Sequence, residues 1–117
     1  MRHKKQGRKF GRKRDQRKAF VSSLVEALVL KEKVLTTEAR AKELRPAVEK
    51  LVSKARTDSV ANRRLITAKL SGRPATVKKL FEVIAPRYKD RKGGYLRITK
   101  VVKRASDGRA SAVIEFV

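Results

Sequence analysis

Residues 95–117 read Tyr95-Leu96-Arg97-Ile98-Thr99-Lys100-Val101-Val102-Lys103-Arg104, then Ala105-Ser106-Asp107-Gly108-Arg109, then Ala110-Ser111-Ala112-Val113-Ile114-Glu115-Phe116-Val117. The two outer blocks are rich in β-branched and aromatic side chains. The Asp107-Gly108 pair in the connection supplies turn chemistry, so the stretch predicts two strands joined as a hairpin. The periodic segments upstream are helical, which makes the chain α+β. A layer of about four helices covering one face of a small antiparallel or mixed three-stranded sheet is the simplest architecture.

Moving back from the hairpin, Arg87 to Gly94 reads as a loop, with the Gly93-Gly94 pair giving backbone freedom that a β-carbon would remove. Before it, Pro74 suits the first position of a helix that buries Val77, Leu80, Phe81 and Ile84, and Pro86 is expected to stop that helix. Ser71-Gly72 forms the preceding turn, and Asp58 or Ser59 caps a helix ending near Leu70. Thr37 is placed to cap a longer helix whose apolar face is Ala41, Leu44, Val48, Leu51, Val52 and Ala55, while Arg40, Lys42, Arg45, Lys50, Lys54 and Arg56 largely face elsewhere. The apolar period runs through Pro46 without a phase break, which favours one kinked helix over two. Lys33 to Thr36 is a β-prone link with the character of an edge strand. The first helix is expected from about Gln16 to Glu32, capped by Asp15, with Phe20, Leu24, Ala27 and Leu28 on its inner face. The predicted order is α-β-α-α-α-β-β, as one domain over residues 15–117 preceded by a basic extension over residues 1–14.

The chain has 117 residues, with 33 Lys and Arg against 11 Asp and Glu, a formal charge of +22. A compact body with this excess repels itself, which is tolerable mainly beside a polyanion. The excess is densest at the start: Arg2, Lys4, Lys5, Arg8, Lys9, Arg12, Lys13, Arg14, Arg17 and Lys18 are opposed there only by Asp15. Such a run buries too little to offset the roughly 1–2 kcal/mol per residue that ordering a backbone costs. Phosphates can order it, because neutralising them releases condensed counterions and needs no preformed pocket. A solvated tail or a localisation signal is the ordinary reading of a charge run. The further charge on the body argues for nucleic acid.

Several classes are excluded or disfavoured. The chain has no cysteine, hence no disulfide, thiolate metal site or cysteine nucleophile, in keeping with a reducing compartment. No stretch approaches the about 20 apolar residues that span a bilayer. The first residues lack a secretory apolar segment, and they contain no Ser and no apolar stripe, which fits a transit peptide badly. The single histidine, His3, lies in the arm, where nothing holds it near a nucleophile. No Gly-rich loop follows a strand. The carboxylates sit beside cations, as Glu38 does with Lys42 and Glu49 with Lys50, where ion pairing is the ordinary role. No enzyme activity, metal, cofactor or small-molecule substrate is expected. Two binding classes compete with an RNA-bound role. A nucleoid-type DNA-binding protein shares the charge but would need a recognition helix or paired β-arms. A membrane-surface protein would need an apolar face in the arm, which has only Phe10 before Phe20.

Met1-Arg2-His3, Gly7-Arg8, Arg12, Arg17, Thr36-Thr37, Ala41-Lys42-Glu43-Leu44-Arg45, Arg63-Arg64, Leu80-Phe81, Pro86-Arg87-Tyr88 and Gly93-Gly94-Tyr95 with Arg97-Ile98 occur in this order. Together they resemble the bacterial large-subunit ribosomal protein L17 family over essentially the whole chain. The resemblance implies a structural, RNA-bound cytoplasmic component of the large ribosomal subunit, on its solvent side around the peptide exit, with an extension reaching into ribosomal RNA and with neighbouring ribosomal proteins as partners. The chain departs from the family pattern at Gly11, where Asn is usual, at Arg14-Asp15-Gln16, where a Ser-Ser-His run is common, and at Leu96, where Thr is frequent. On this reading Arg2, His3, Lys4, Lys5, Gly7, Arg8, Lys9, Arg12, Lys13, Arg14 and Arg17 face RNA from the arm. Arg63, Arg64, Arg87, Arg91, Tyr95, Arg97 and Lys100 extend the RNA face onto the body. Tyr88 and Tyr95 suit the core or its rim, with stacking on an unpaired base as the functional alternative.

Overall fold

The computed structural model describes residues 13–101 and 110–117. The Asp107-Gly108 turn and arm residues 1–12 lie outside them. The elements are α1 (Arg14–Lys31), β1 (Lys33–Thr37), α2 (Glu38–Ala55), α3 (Val60–Lys69), α4 (Pro74–Lys79), a π turn (Leu80–Ile84), α5 (Ala85–Arg87), β2 (Leu96–Lys100) and β3 (Ser111–Phe116). The helix from Pro74 is continuous through the π turn, so four helical rods and three strands follow the expected order.

The sheet order is β1-β3-β2, and both pairings are antiparallel. The hairpin strands β2 and β3 pair as read, and the Lys33–Thr37 link becomes the other edge strand. Successive side chains in a strand point to opposite faces, and the register sorts them into cross-strand rows. Val34, Ile114 and Ile98 form one row on the helix-covered face. Lys33, Glu115 and Arg97 form a row on the opposite face, followed by Leu35, Val113 and Thr99. That second face is uncovered: Leu35 is 67% exposed.

The α2 stripe is buried as its spacing requires, with Ala41, Leu44, Val48, Leu51, Val52 and Ala55 all in the core. Thr37 Oγ1 accepts the Arg40 N–H at 3.2 Å, the expected N-cap. The rod continues past Pro46, an exposed position. Ser59 rather than Asp58 caps α3, accepting the Asn62 N–H at 3.1 Å.

Three expectations are corrected. The first helix starts at Arg14 after Lys13, with no side-chain cap; Asp15 sits inside the first turn, where its charge complements the helix dipole. Its buried face is Ser22, Val25, Leu28 and Val29, while Phe20, Leu24 and Ala27 are half-buried. The sequence carries two overlapping apolar stripes, and packing against α2 and the α4 rod selects the one through Val25 and Val29. Pro86 does not stop the fourth rod, which ends after Arg87. The chain widens into the π turn instead, where the Ala85 N–H reaches the Leu80 carbonyl. A residue of extra turn just before a proline accommodates the ring that would otherwise strike the carbonyl four residues back.

The junction between α1 and β1 is unusual. Glu32 caps α1 with φ +63°, a left-handed conformation more often given to glycine. Its carbonyl accepts the Phe116 N–H at 3.1 Å. Its carboxylate meets Lys79 Nζ at 3.2 Å and Arg87 Nη1. One residue thus ties the end of α1 to the central strand and to the fourth rod, which accounts for a charged side chain where glycine would relieve the backbone.

Candidate nucleic-acid interface

The arginines proposed for the body's RNA face are largely occupied by protein partners. Arg63 donates through Nε and Nη2 to the two oxygens of Asp58, at 2.6 and 2.8 Å, and lies 4.8 Å from the centre of the Phe81 ring. Arg87 pairs with Glu32. Arg97 donates twice to Glu115 across the β2–β3 pair, at 3.2 and 2.9 Å, and Lys33 approaches the same carboxylate at 4.0 Å. Lys100 is 3.5 Å from Glu38, which also pairs with Lys42 at 2.9 Å. Arg91 donates to the Gly94 carbonyl at 3.2 Å and sits near the Tyr88 ring. Of the Arg63-Arg64 pair, only Arg64 is exposed without an ion pair among the described residues. The expected pairing of Glu49 with Lys50 is replaced by Arg45, 3.8 Å away and one turn back on α2.

Tyr95 is not available for stacking. Its side chain is 0% exposed, with its ring centre 5.2 Å from that of Tyr88, which in turn stacks on Phe116. Its hydroxyl donates to the Arg91 carbonyl at 3.2 Å and has Ser53 Oγ at 3.0 Å. A phenol with satisfied bonds inside the core has no free face for a base, so Tyr95 leaves the candidate set as a structural residue. Tyr88 is buried too, and its hydroxyl donates to the Val117 carbonyl.

The ion pairs set the pH response. Glu32 is held below its ordinary carboxyl value of 4.5, first by the hydrogen bond from Arg87 and then, against some desolvation, by Lys79. Glu115 is lowered chiefly by Arg97, Glu38 by Lys42 and Asp58 by Arg63. A lowered folded-state value means that the stabilisation is present above the unfolded value and is lost as pH falls through the folded one. Glu32→Gln should therefore lose stability near neutrality and less on acidification, the two proteins converging well below about pH 4. Thermal melts across that range check it; a constant difference at every pH would remove the ion pairs as the cause.

Among the arm candidates, Lys13, Arg14, Arg17 and their neighbour Lys18 lie at the start of α1 without ion pairs among the described residues, all but half-buried Arg17 exposed. Arg2, His3, Lys4, Lys5, Gly7, Arg8, Lys9 and Arg12 fall outside the described residues.

A second group of cations is not brought together by sequence reasoning, which places Lys18 in the basic run and Lys50 and Lys54 on the outer side of α2. A groove of about 490 Å³ runs between α1, α2 and α3 over an aliphatic floor that includes Val21, Val25, Leu51 and Leu65, with Lys18, Lys50 and Lys69 in its lining. A shallower depression of about 660 Å³ shares Lys50, Leu51 and Lys69 with it and adds Lys54 and Lys92. The lysines come from three helices and the turn after α5, so only the tertiary fold assembles them. A faint signal was present in the i, i+4 spacing of Lys50 and Lys54, which puts both on one side of α2.

Among the described residues no three His, Cys, Asp or Glu side chains converge as metal ligands, and no helix is long and apolar enough to cross a membrane. Fold and surface together define a small basic α+β protein, helices on one face of a three-stranded sheet, with a lysine-lined groove among the described residues. The family model for ribosomal protein L17 matches residues 20–117. The chain is 49% identical over 117 residues to the large ribosomal subunit protein bL17 of Thermomicrobium roseum, covering 100% of this chain and 99% of that one. It is 50% identical over 117 residues to the protein of the same name from Sphingopyxis alaskensis, covering 100% of this chain and 84% of the relative. The chain belongs to the ribosomal protein L17 family, as the ordered motifs from Met1-Arg2-His3 to Arg97-Ile98 implied. It is a structural ribosomal protein and not an enzyme.

Proposed function

We propose that the protein is a constituent of the bacterial large ribosomal subunit that binds and stabilises folded large-subunit ribosomal RNA in the cytoplasm, beside neighbouring ribosomal proteins. The observation that carries this reading is the 49% and 50% identity, across all 117 residues of this chain, to two large ribosomal subunit proteins. The charge of +22 supplies the physical means. The contacts are divided between the arm, residues 1–14, and the single domain that follows. Arm residues Arg2 to Arg14 and the adjoining Arg17 lie against phosphates, with Gly7 and Gly11 letting the backbone approach closely. On the body, Arg64 is the free member of its pair. Arg63, Arg87, Arg91, Arg97 and Lys100 reach RNA only with the donors that their protein partners leave, so their contribution is secondary. Most of these contacts position the protein and recognise RNA shape, without reading base edges.

Sedimentation of cell lysate through a sucrose gradient, before and after a high-salt wash, tests the assignment. The chain is expected to remain with the large subunit after the wash. Recovery with chromosomal DNA, or in the free protein fractions at low salt, would refute the ribosomal role and favour a nucleoid-type protein.

A further inference from the structure

Five lysines, Lys18, Lys50, Lys54, Lys69 and Lys92, surround two depressions that share Lys50, Leu51 and Lys69 and so form one continuous trough. All five are exposed, and none has an ion pair among the described residues. By contrast Lys33, Lys42, Lys79 and Lys100 each stand within 4.0 Å of a carboxylate. Among the described residues the trough's one lining carboxylate is Glu49, which has Arg45 at 3.8 Å. Among the described residues the lysine charges therefore have no carboxylate within ion-pair distance while they crowd one surface.

We propose that this trough is a second RNA-binding surface, which takes an unpaired stretch of ribosomal RNA with its phosphates on the five lysines and its sugars and base faces on the aliphatic floor. The assignment rests on the ribosomal RNA-binding function argued above and adds where on the body the strand lies. Three features favour RNA as the occupant. Uncompensated like charge around a groove raises the local concentration of a polyanion. Lysine ammonium groups on flexible stems act as point charges, suited to successive phosphates of varying geometry, whereas the body's ion-paired arginines are fixed by their forks. The floor, with Leu65 39% exposed, offers apolar contact to whichever base faces it, without sequence preference. The trough also begins at Lys18, one residue after Arg17, so it starts where the basic run of the sequence ends. Lys50 and Lys54, about 6 Å apart along α2, then lead toward Lys92.

The test compares three full-length proteins: the unaltered chain, the trough variant Lys50→Gln/Lys54→Gln/Lys69→Gln, and the arm variant Arg8→Ala/Arg12→Ala/Arg17→Ala. Binding of each to folded large-subunit ribosomal RNA is measured over a range of salt. Each phosphate contact removed lowers the salt slope by about 0.7–0.9, so the trough variant should lose about 2–3 units of slope. Amine acylation of the unaltered complex gives an independent readout that no misfolding can imitate. Bound RNA should protect Lys50, Lys54 and Lys69, while Lys31 at the far end of α1 stays reactive. A full slope in the trough variant together with unprotected lysines overturns the trough and leaves RNA binding by the arm intact. Protection that appears only when other ribosomal proteins are added assigns the trough to a protein neighbour and also overturns the proposal. An unaltered chain with no affinity for the RNA overturns the underlying function itself.

Discussion

Ile114→Ala is expected to lower the free energy of unfolding by about 2–5 kcal/mol, a large share of the roughly 5–15 kcal/mol available to a small domain. Ile114 is 0% exposed at the middle of the central strand, aligned with Val34 on one side and Ile98 on the other. Its side chain fills the layer between sheet and helices, so truncation removes transfer free energy and leaves a cavity that three strands and α2 all border. Urea titration in moderate salt, which damps the self-repulsion of a protein of charge +22, should show the midpoint falling with little change in slope. Val113→Ala, one residue along on the uncovered face, is the matched control and should cost well under half as much. Equal losses from the two would mean that the helices do not cover the Ile114 face.

The arm variant Arg8→Ala/Arg12→Ala/Arg17→Ala is expected to bind large-subunit ribosomal RNA roughly a hundredfold more weakly at about 0.1 M salt, with the deficit nearly vanishing toward 1 M. If arm and body together neutralise on the order of eight phosphates, the unaltered chain should show a slope of log affinity against log salt of roughly −6 to −7, and the variant about −4 to −5. Filter binding or fluorescence anisotropy over that salt range measures both. A parallel downward shift at every salt would point to lost packing, and an unchanged slope would remove the arm from the interface.

Much of the fold is legible in the sequence because its signals are local. The α2 stripe from Ala41 to Ala55, the caps at Thr37 and Ser59 and the β-branched blocks around Ile98 and Ile114 each depend on residues only a few positions apart. The failures are of a different kind. The inner face of α1 depends on which of two interleaved stripes the neighbouring rods accept, and Pro86 is absorbed by a π turn that only packing of the rod stabilises. The surface was harder still. Arg87 and Arg97 look like free cations until Glu32 and Glu115, distant in sequence by 55 and 18 residues, are brought to them. Lys50, Lys69 and Lys92 look unremarkable until three helices and a turn draw them around one groove. Charge can be counted along a chain, but whether a given charge is neutralised is a tertiary property.

The sheet order β1-β3-β2 also has a consequence in time. Among the described residues each outer strand has β3 as its only strand neighbour, and β3 is the last of the three to be made. Val34 waits 80 residues for Ile114, so during synthesis the helical rods are all complete while both outer strands are still without partners. Closing that long loop is a slow, non-local step. The emerging chain therefore carries its helices first and completes the sheet only when the local β2–β3 hairpin brings Ser111–Phe116 back against β1, docking two strands in one step.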